Sequence, residues 1–357
     1  MRNNISLLQE KLGSEIKSDC AIITSDINRR YLTGMKSSAG TVLVFKDCAY
    51  LLIDFRYIEK ARDNVTNCIV VMDNSTSDKI NELLSKHNAK SVAVETASMT
   101  VSQYNNMKLS LEVEVLDSNC LSDVLSKMRS IKSDEEIESI IKAQRIAENA
   151  FSKALELIKA GVTERELALF LDFQMLSAGA EAVSFDTIAL SGENTSLPHG
   201  EPSDKKIRKG EFVLMDFGAV VDGYHSDMTR TVCVGEPDEE MKKVYNIVLE
   251  AQEAALKIAK SDMTGKELDS VARNVLDKAG YGDNFGHSLG HCVGLEIHES
   301  PNASPRSEDI LLPQMVITVE PGIYIEKKFG VRIEDMVVLT KNGCNNLTKS
   351  PKELIVL

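Results

Sequence analysis

No run of apolar residues in this sequence is long enough to cross a bilayer, which excludes a helical membrane protein. The first residues, Met1-Arg2-Asn3-Asn4, lack the apolar core of a secretion signal. Cysteines are few and dispersed: Cys20, Cys48, Cys68, Cys120, Cys233, Cys292 and Cys344 form no Cys-x-x-Cys pair. An odd, scattered set of that kind reads as reduced thiols, and the expected location is the cytoplasm. Positive charge is also in deficit. Against 54 Asp and Glu stand 41 Lys and Arg, a net charge of −13, so nucleic acid and anionic membranes are not expected as partners. Tryptophan is absent, and its absence carries no functional information. What is present is ordinary for a folded chain, 43% apolar and 27% charged. A chain of 357 residues accommodates two domains at roughly 100–200 residues each.

Residues 1–125 read as a smaller α/β domain. Ala21-Ile22-Ile23, Thr41–Phe45, Ala49–Ile53 and Ser91–Val94 are short apolar runs typical of buried strands, and stretches 2–17, 55–64, 76–88 and 100–110 have helical periodicity between them. The alternation predicts a parallel or mixed sheet covered by helices. Arg56, in Asp54-Phe55-Arg56-Tyr57, either makes a local salt bridge or reaches a neighbouring active site. His87, between Lys86 and Asn88, is expected on the solvated surface. A helix is expected to start at Ser133, where Ser133-Asp134-Glu135-Glu136 offers a cap and an acidic first turn. The second domain is placed at 126–357.

That second domain contains a repeat. Asp134-Glu135-Glu136 recurs as Asp238-Glu239-Glu240, and Asp216-Phe217-Gly218 as Glu320-Pro321-Gly322, both 104 positions apart. Each half reads helix, turn, helix, then a strand pair bearing two acids. Asp216 ends the apolar run Phe212–Met215 and Glu320 ends Val316–Val319; each is followed by a second acid, Asp227 or Glu334. A carboxylate closing a buried strand is costly unless a cation or donor neutralises it. Two matched acidic hairpins brought face to face would form a site for more than one divalent ion.

Between the hairpins lies His287-Ser288-Leu289-Gly290-His291-Cys292-Val293-Gly294-Leu295-Glu296-Ile297-His298-Glu299, holding three of the chain's six histidines. One imidazole can join four carboxylates around Mn²⁺, Co²⁺, Fe²⁺ or Zn²⁺, while others move protons or stabilise an oxyanion. His199 adds a further candidate in the polar loop Ser196–Gly200, and His225 is read as non-ligating.

The set Asp216, Asp227, His291, Glu320 and Glu334, with its flanking motifs Met215-Asp216-Phe217-Gly218, Ser226-Asp227-Met228-Thr229-Arg230-Thr231, Val319-Glu320-Pro321-Gly322 and Gly330-Val331-Arg332-Ile333-Glu334-Asp335, resembles the pita-bread metallopeptidases. Within these it is similar to the aminopeptidase P/prolidase (Xaa-Pro peptidase) branch over essentially the whole chain. The resemblance implies an α+β fold, with a duplicated pita-bread catalytic domain after a creatinase-like N-terminal α/β domain. It implies a dinuclear site, manganese first among the candidate ions. Asp216 would chelate one ion, Asp227 and Glu334 would bridge both, and His291 and Glu320 would complete the second position. His199, His287 and His298, with Glu320, would be catalytic; His199, His298 and Arg332 would meet the substrate. The implied reaction is hydrolysis of an N-terminal Xaa-Pro bond through a metal-bridging hydroxide, and the implied assembly is a homodimer. Cys292 departs from the pattern, since relatives usually carry glycine there; its side chain is expected to narrow the pocket or present a thiol to the ions. Alternatives are a strict Xaa-Pro dipeptidase, a methionine aminopeptidase, which generally lacks this N-terminal domain, and a non-catalytic binding protein on the same fold.

Overall fold

The computed structural model describes residues 3–357 and divides into two compact units, Met1–Arg129 and Ser130–Leu357. In the first unit the fully buried strands Cys20–Ile23, Thr41–Phe45 and Ala49–Ile53 pair antiparallel. Parallel neighbours Ile69–Met72, Ser91–Val94 and Glu114–Val115 extend that core to six strands, so the sheet is mixed. Helices Asn4–Lys11, Ser77–Lys86 and Val101–Ser110 occupy the expected periodic stretches, and Arg2 of the first stretch lies outside the described residues. Helix Asp26–Thr33, capped by the Ser25 hydroxyl, was not evident from periodicity.

Two side chains singled out in this unit resolve locally. Arg56 is exposed and pairs with Asp54 at 2.6 Å, so the salt bridge is its observed role. His87 is not a solvated surface residue. Its ring stacks on Phe45 with centroids 4.2 Å apart, and Nε2 lies 3.0 Å from the Tyr50 hydroxyl. An imidazole presents a flat apolar face as well as polar nitrogens, and here the aromatic neighbours of the sheet claim that face.

The second unit repeats one design. Helices Asp134–Leu157 and Glu164–Ser177 precede the first acidic strands, and Glu239–Ile258 and Gly265–Lys278 precede the second. Ser133, Thr163, Asp238 and Thr264 cap these four helices with their side-chain oxygens. Three of them are full capping boxes closed by Glu136, Glu166 and Glu267. In the first half Glu211–Phe217 pairs antiparallel with Met228–Val234, setting Asp216 opposite Thr229. In the second Val316–Val319 pairs with Asp335–Thr340, setting Val319 opposite Asp335. Apolar faces of both pairs pack on their helices, as with Phe151 and Leu167 against Val213 and Met215.

The halves are stitched together at the acids. Glu334 N donates to Thr229 O at 3.2 Å, and Thr231 Oγ1 donates to Arg332 O at 3.0 Å. Beneath them Arg230, 2% exposed, spends its N–H groups on Thr229 O, Glu334 O, Ser350 O, Pro351 O and the Asp335 carboxylate. A buried guanidinium is tolerable only when its donors are used in this way. Burial alone would raise Asp335, but Arg230 and Lys352 hold its carboxyl below the usual range.

Candidate metal centre

Duplication and hairpin geometry bring the four acids to one place. Gly218 follows the Asp216 strand so closely that a Cβ there would sit 1.9 Å from Ser226 O, the residue before Asp227. Gly290 does the same for the histidine strand, where a Cβ would lie 2.0 Å from Thr318 O. Both glycines are required by close backbone approach, and both place a polar side chain beside an acidic strand.

All nine residues expected at the site line one cavity of about 710 Å³: His199, Asp216, Asp227, His287, His291, His298, Glu320, Arg332 and Glu334. Ligand atoms of Asp227, His291 and Glu334 lie within 4.8 Å of one another. His291 Nε2 is 3.6 Å from Asp227 Oδ2 and 3.5 Å from Glu320 Oε1. Its Nδ1 lies 3.1 Å from Cys292 O; a proton there, donated to that carbonyl, leaves the Nε2 lone pair facing the acids. Thr229 Oγ1 donates to Glu334 Oε2 at 2.8 Å, and Thr318 Oγ1 to Glu320 Oε1 at 3.2 Å. His225 does not line the cavity.

The electrostatics are those of a site that wants a cation. Burial, then repulsion by Glu334, Asp216 and Glu320, pushes Asp227 well above the usual carboxylate range. Burial, then Glu320 and Asp216, does the same to Glu334, and burial lifts Glu320 to about 8. Burial, then His298, lowers His291 to about 4, leaving it neutral. Asp216 Oδ1 and Glu334 Oε1 are buried with no hydrogen-bond partner. Unpartnered carboxylate oxygens, in an all-oxygen-plus-imidazole donor set, fit divalent first-row ions.

Arg332 is the only Lys or Arg among the described residues that line the cavity. Its Nη2 donates to Asp216 Oδ2 at 2.6 Å, Nη1 to the Tyr324 hydroxyl at 2.7 Å, and Nε to Thr229 Oγ1 at 3.0 Å. Tyr324 in turn lies 3.0 Å from His287 Nε2, and His287 Nδ1 lies 2.8 Å from Ser288 O. Both ring nitrogens of His287 are therefore engaged, and burial with the Arg332 charge lowers its pKa to about 4. Tyr324 escaped the sequence reading. It stands two residues after Gly322 in strand Gly322–Ile325, on the face shared with Arg332 of the paired strand. Arg332→Lys keeps the charge but loses the planar fork, so a loss of about 10–100-fold in divalent-ion affinity is expected. Titration of the metal-free variant checks this; unchanged affinity would confine Arg332 to substrate.

Cys292 contradicts its expectation. It is fully buried in the hydrophobic core with Ile317 and Val337, on the strand face opposite His291, and does not line the cavity. Burial raises its thiol to about 12, so it neither narrows the pocket nor offers a thiolate to ions.

Comparison with known proteins agrees with this geometry. Residues 138–341 match metallopeptidase family M24, and residues 5–131 match the creatinase/prolidase N-terminal domain. A protein of Pyrococcus furiosus named Xaa-Pro dipeptidase is 42% identical over 97% of this chain and 97% of its own length. Among solved structures, an Xaa-Pro dipeptidase from Bacillus anthracis superposes with TM-score 0.95 at 40% identity, covering 99% of each chain. An X-Pro aminopeptidase from Thermotoga maritima superposes with TM-score 0.90 at 39% identity, covering 98% of this chain and 100% of the other.

Proposed function

The chain belongs to metallopeptidase family M24 and is a hydrolase, and from that premise we propose that it cleaves the bond between an N-terminal residue and proline. The observation that carries the reading is the cavity that gathers Asp216, Asp227, Glu320 and Glu334 with the neutral His291 and leaves Asp216 Oδ1 and Glu334 Oε1 buried and unpartnered. In the proposed arrangement Asp216, Asp227, His291, Glu320 and Glu334 hold two divalent ions, manganese being the first to test. Ions so held supply Lewis-acid polarisation of the peptide carbonyl and lower the pKa of water at the site. The chain's own groups do the rest. Arg332 fixes the Asp216 carboxylate, and the neutral His287, bound to Tyr324, keeps that corner shaped. His298 stands edge-on to His291 with centroids 4.4 Å apart, where it can donate to or accept from the reacting amide. His199 enters from the loop on the cavity rim.

Tolerance of a residue after proline follows from charge. A dipeptide's C-terminal carboxylate needs a cation, and the one lining guanidinium is already committed to Asp216 and Tyr324. Aminopeptidase action on longer peptides is therefore the first reading. Strict dipeptidase action is the second, favoured by the names of the Pyrococcus furiosus and Bacillus anthracis relatives. Purified protein loaded with Mn²⁺ is expected to hydrolyse Xaa-Pro-Yaa and to act more slowly on Xaa-Pro. Cleavage of Xaa-Pro alone would establish the dipeptidase, and cleavage of neither would refute the proline assignment.

A further inference from the structure

We propose that Glu164 is a positioning residue that holds the His199 loop against the active site, an inference that rests on the reading of His199 as a substrate-facing group. Glu164 lies in the first turn of helix Glu164–Ser177, 1% exposed, and does not line the cavity. It is not needed to cap that helix, because Thr163 and Glu166 close the capping box. Its carboxylate is instead devoted to the segment between Ser191 and Ser203. Oε1 accepts from Ser191 N at 2.7 Å, Ser191 Oγ at 3.0 Å and Asn194 Nδ2 at 3.0 Å. Oε2 accepts from Asn194 Nδ2 at 3.1 Å, Ser203 N at 3.1 Å and Ser203 Oγ at 2.5 Å.

One buried carboxylate thus ties both ends of the loop that carries His199 at its centre. A charge so fully removed from water is retained only where its donors repay the desolvation, and here every donor belongs to the loop. The middle of the loop is fastened to the site itself. Gly330 N donates to Thr195 Oγ1 at 2.7 Å, and Arg332 Nη1 reaches Pro198 O at 3.4 Å. The ends and the middle of the segment that carries His199 are thus tied to the rest of the fold. The other half uses the same device from its matching helix. Asp269 accepts from Leu289 N at 3.1 Å and pairs with Arg273, whose Nη2 donates to His287 O at 2.9 Å.

The test is a double-mutant cycle in the Mn²⁺-loaded enzyme with an exchange measurement beside it. Glu164→Gln keeps the size of the side chain but turns one acceptor into a donor facing the N–H and O–H groups of the loop. It is expected to lower kcat/KM on an Xaa-Pro substrate by about tenfold, with metal content unchanged. His199→Ala alone is expected to cost about 10²-fold or more, and adding Glu164→Gln to it is expected to cost nothing further. In the metal-free protein, hydrogen exchange over 191–203 should quicken in Glu164→Gln. Costs that multiply in the double variant, or loop exchange equal to wild type, would overturn the proposal. Should Glu164→Gln fail to fold, Ser203→Ala removes one of the carboxylate's donors while the others remain, and must show the same non-additivity at smaller size. A wild-type enzyme inert on every Xaa-Pro peptide would sink the proposed function, while the exchange arm would still report whether Glu164 holds the loop.

Discussion

Asp227→Asn is expected to lower kcat/KM on the order of 10³-fold or more and to release divalent metal from the protein. Asparagine preserves the shape of the side chain but removes its charge and one of its two acceptor oxygens. Asp227 is 4% exposed, faces His291 Nε2 at 3.6 Å, and shares a 4.8 Å neighbourhood with His291 and Glu334. A chelator applied to the wild type should reproduce the loss, and restored Mn²⁺ should reverse it in the wild type alone. Metal content by mass spectrometry and turnover on an Xaa-Pro peptide read the two halves of the result. Normal metal content with normal turnover in the variant would end the dinuclear reading.

The second large effect concerns stability. Metal-free protein is expected to melt at lower temperature as pH rises from about 6.5 to above 8, by about 5 °C or more. Asp227 and Glu334 are held well above their ordinary values, and Glu320 sits at about 8. Acids raised in the folded state bind protons more tightly there than in the unfolded chain. The stability they contribute is complete below their ordinary values, near pH 4, and is withdrawn as pH climbs through the folded values. His291 and His287, lowered to about 4, act the other way, but only up to the ordinary histidine value of 6.5. Between that pH and about 8, where the buried thiols begin to contribute, these carboxylates set the slope. Bound divalent ions replace the protons, so saturating Mn²⁺ should abolish the slope, and the metal-induced rise in Tm should grow with pH. Calorimetry on both forms across that range decides the point. Parallel curves for metal-free and loaded protein would show that these acids do not share a cation site.

Much of this molecule could be read from its residues in order. The apolar runs Thr41–Phe45, Ala49–Ile53 and Val316–Val319 became strands because each is short, apolar and bounded by turn residues. The Ser133 cap was legible because a capping box is a local device, made and satisfied within four residues. Asp216 and Glu320 were legible because an acid at the end of an apolar run conflicts with its surroundings, and the conflict recurs 104 positions later. His87 and Cys292 were misjudged for the converse reason. A polar residue near charged neighbours, or a thiol beside a ligand histidine, declares nothing about which face its backbone will turn inward. Phe45 and Tyr50 settle the first case, and strand alternation into a core with Ile317 settles the second.

Sequence alone thus singled out the nine side chains that the fold gathers into one cavity, since types, spacing and repetition are all local properties of the chain. Tertiary structure decided which groups serve them. Arg332 finds Asp216 from 116 positions away, Thr229 finds Glu334 across 105, and Glu164 gathers Ser191 and Ser203 from 27 and 39. A supporting group of this kind needs only a complementary donor or acceptor within 3 Å or so, a condition many residues could meet. Which one does so depends on how the two halves close on each other, and no pattern along the chain encodes that contact.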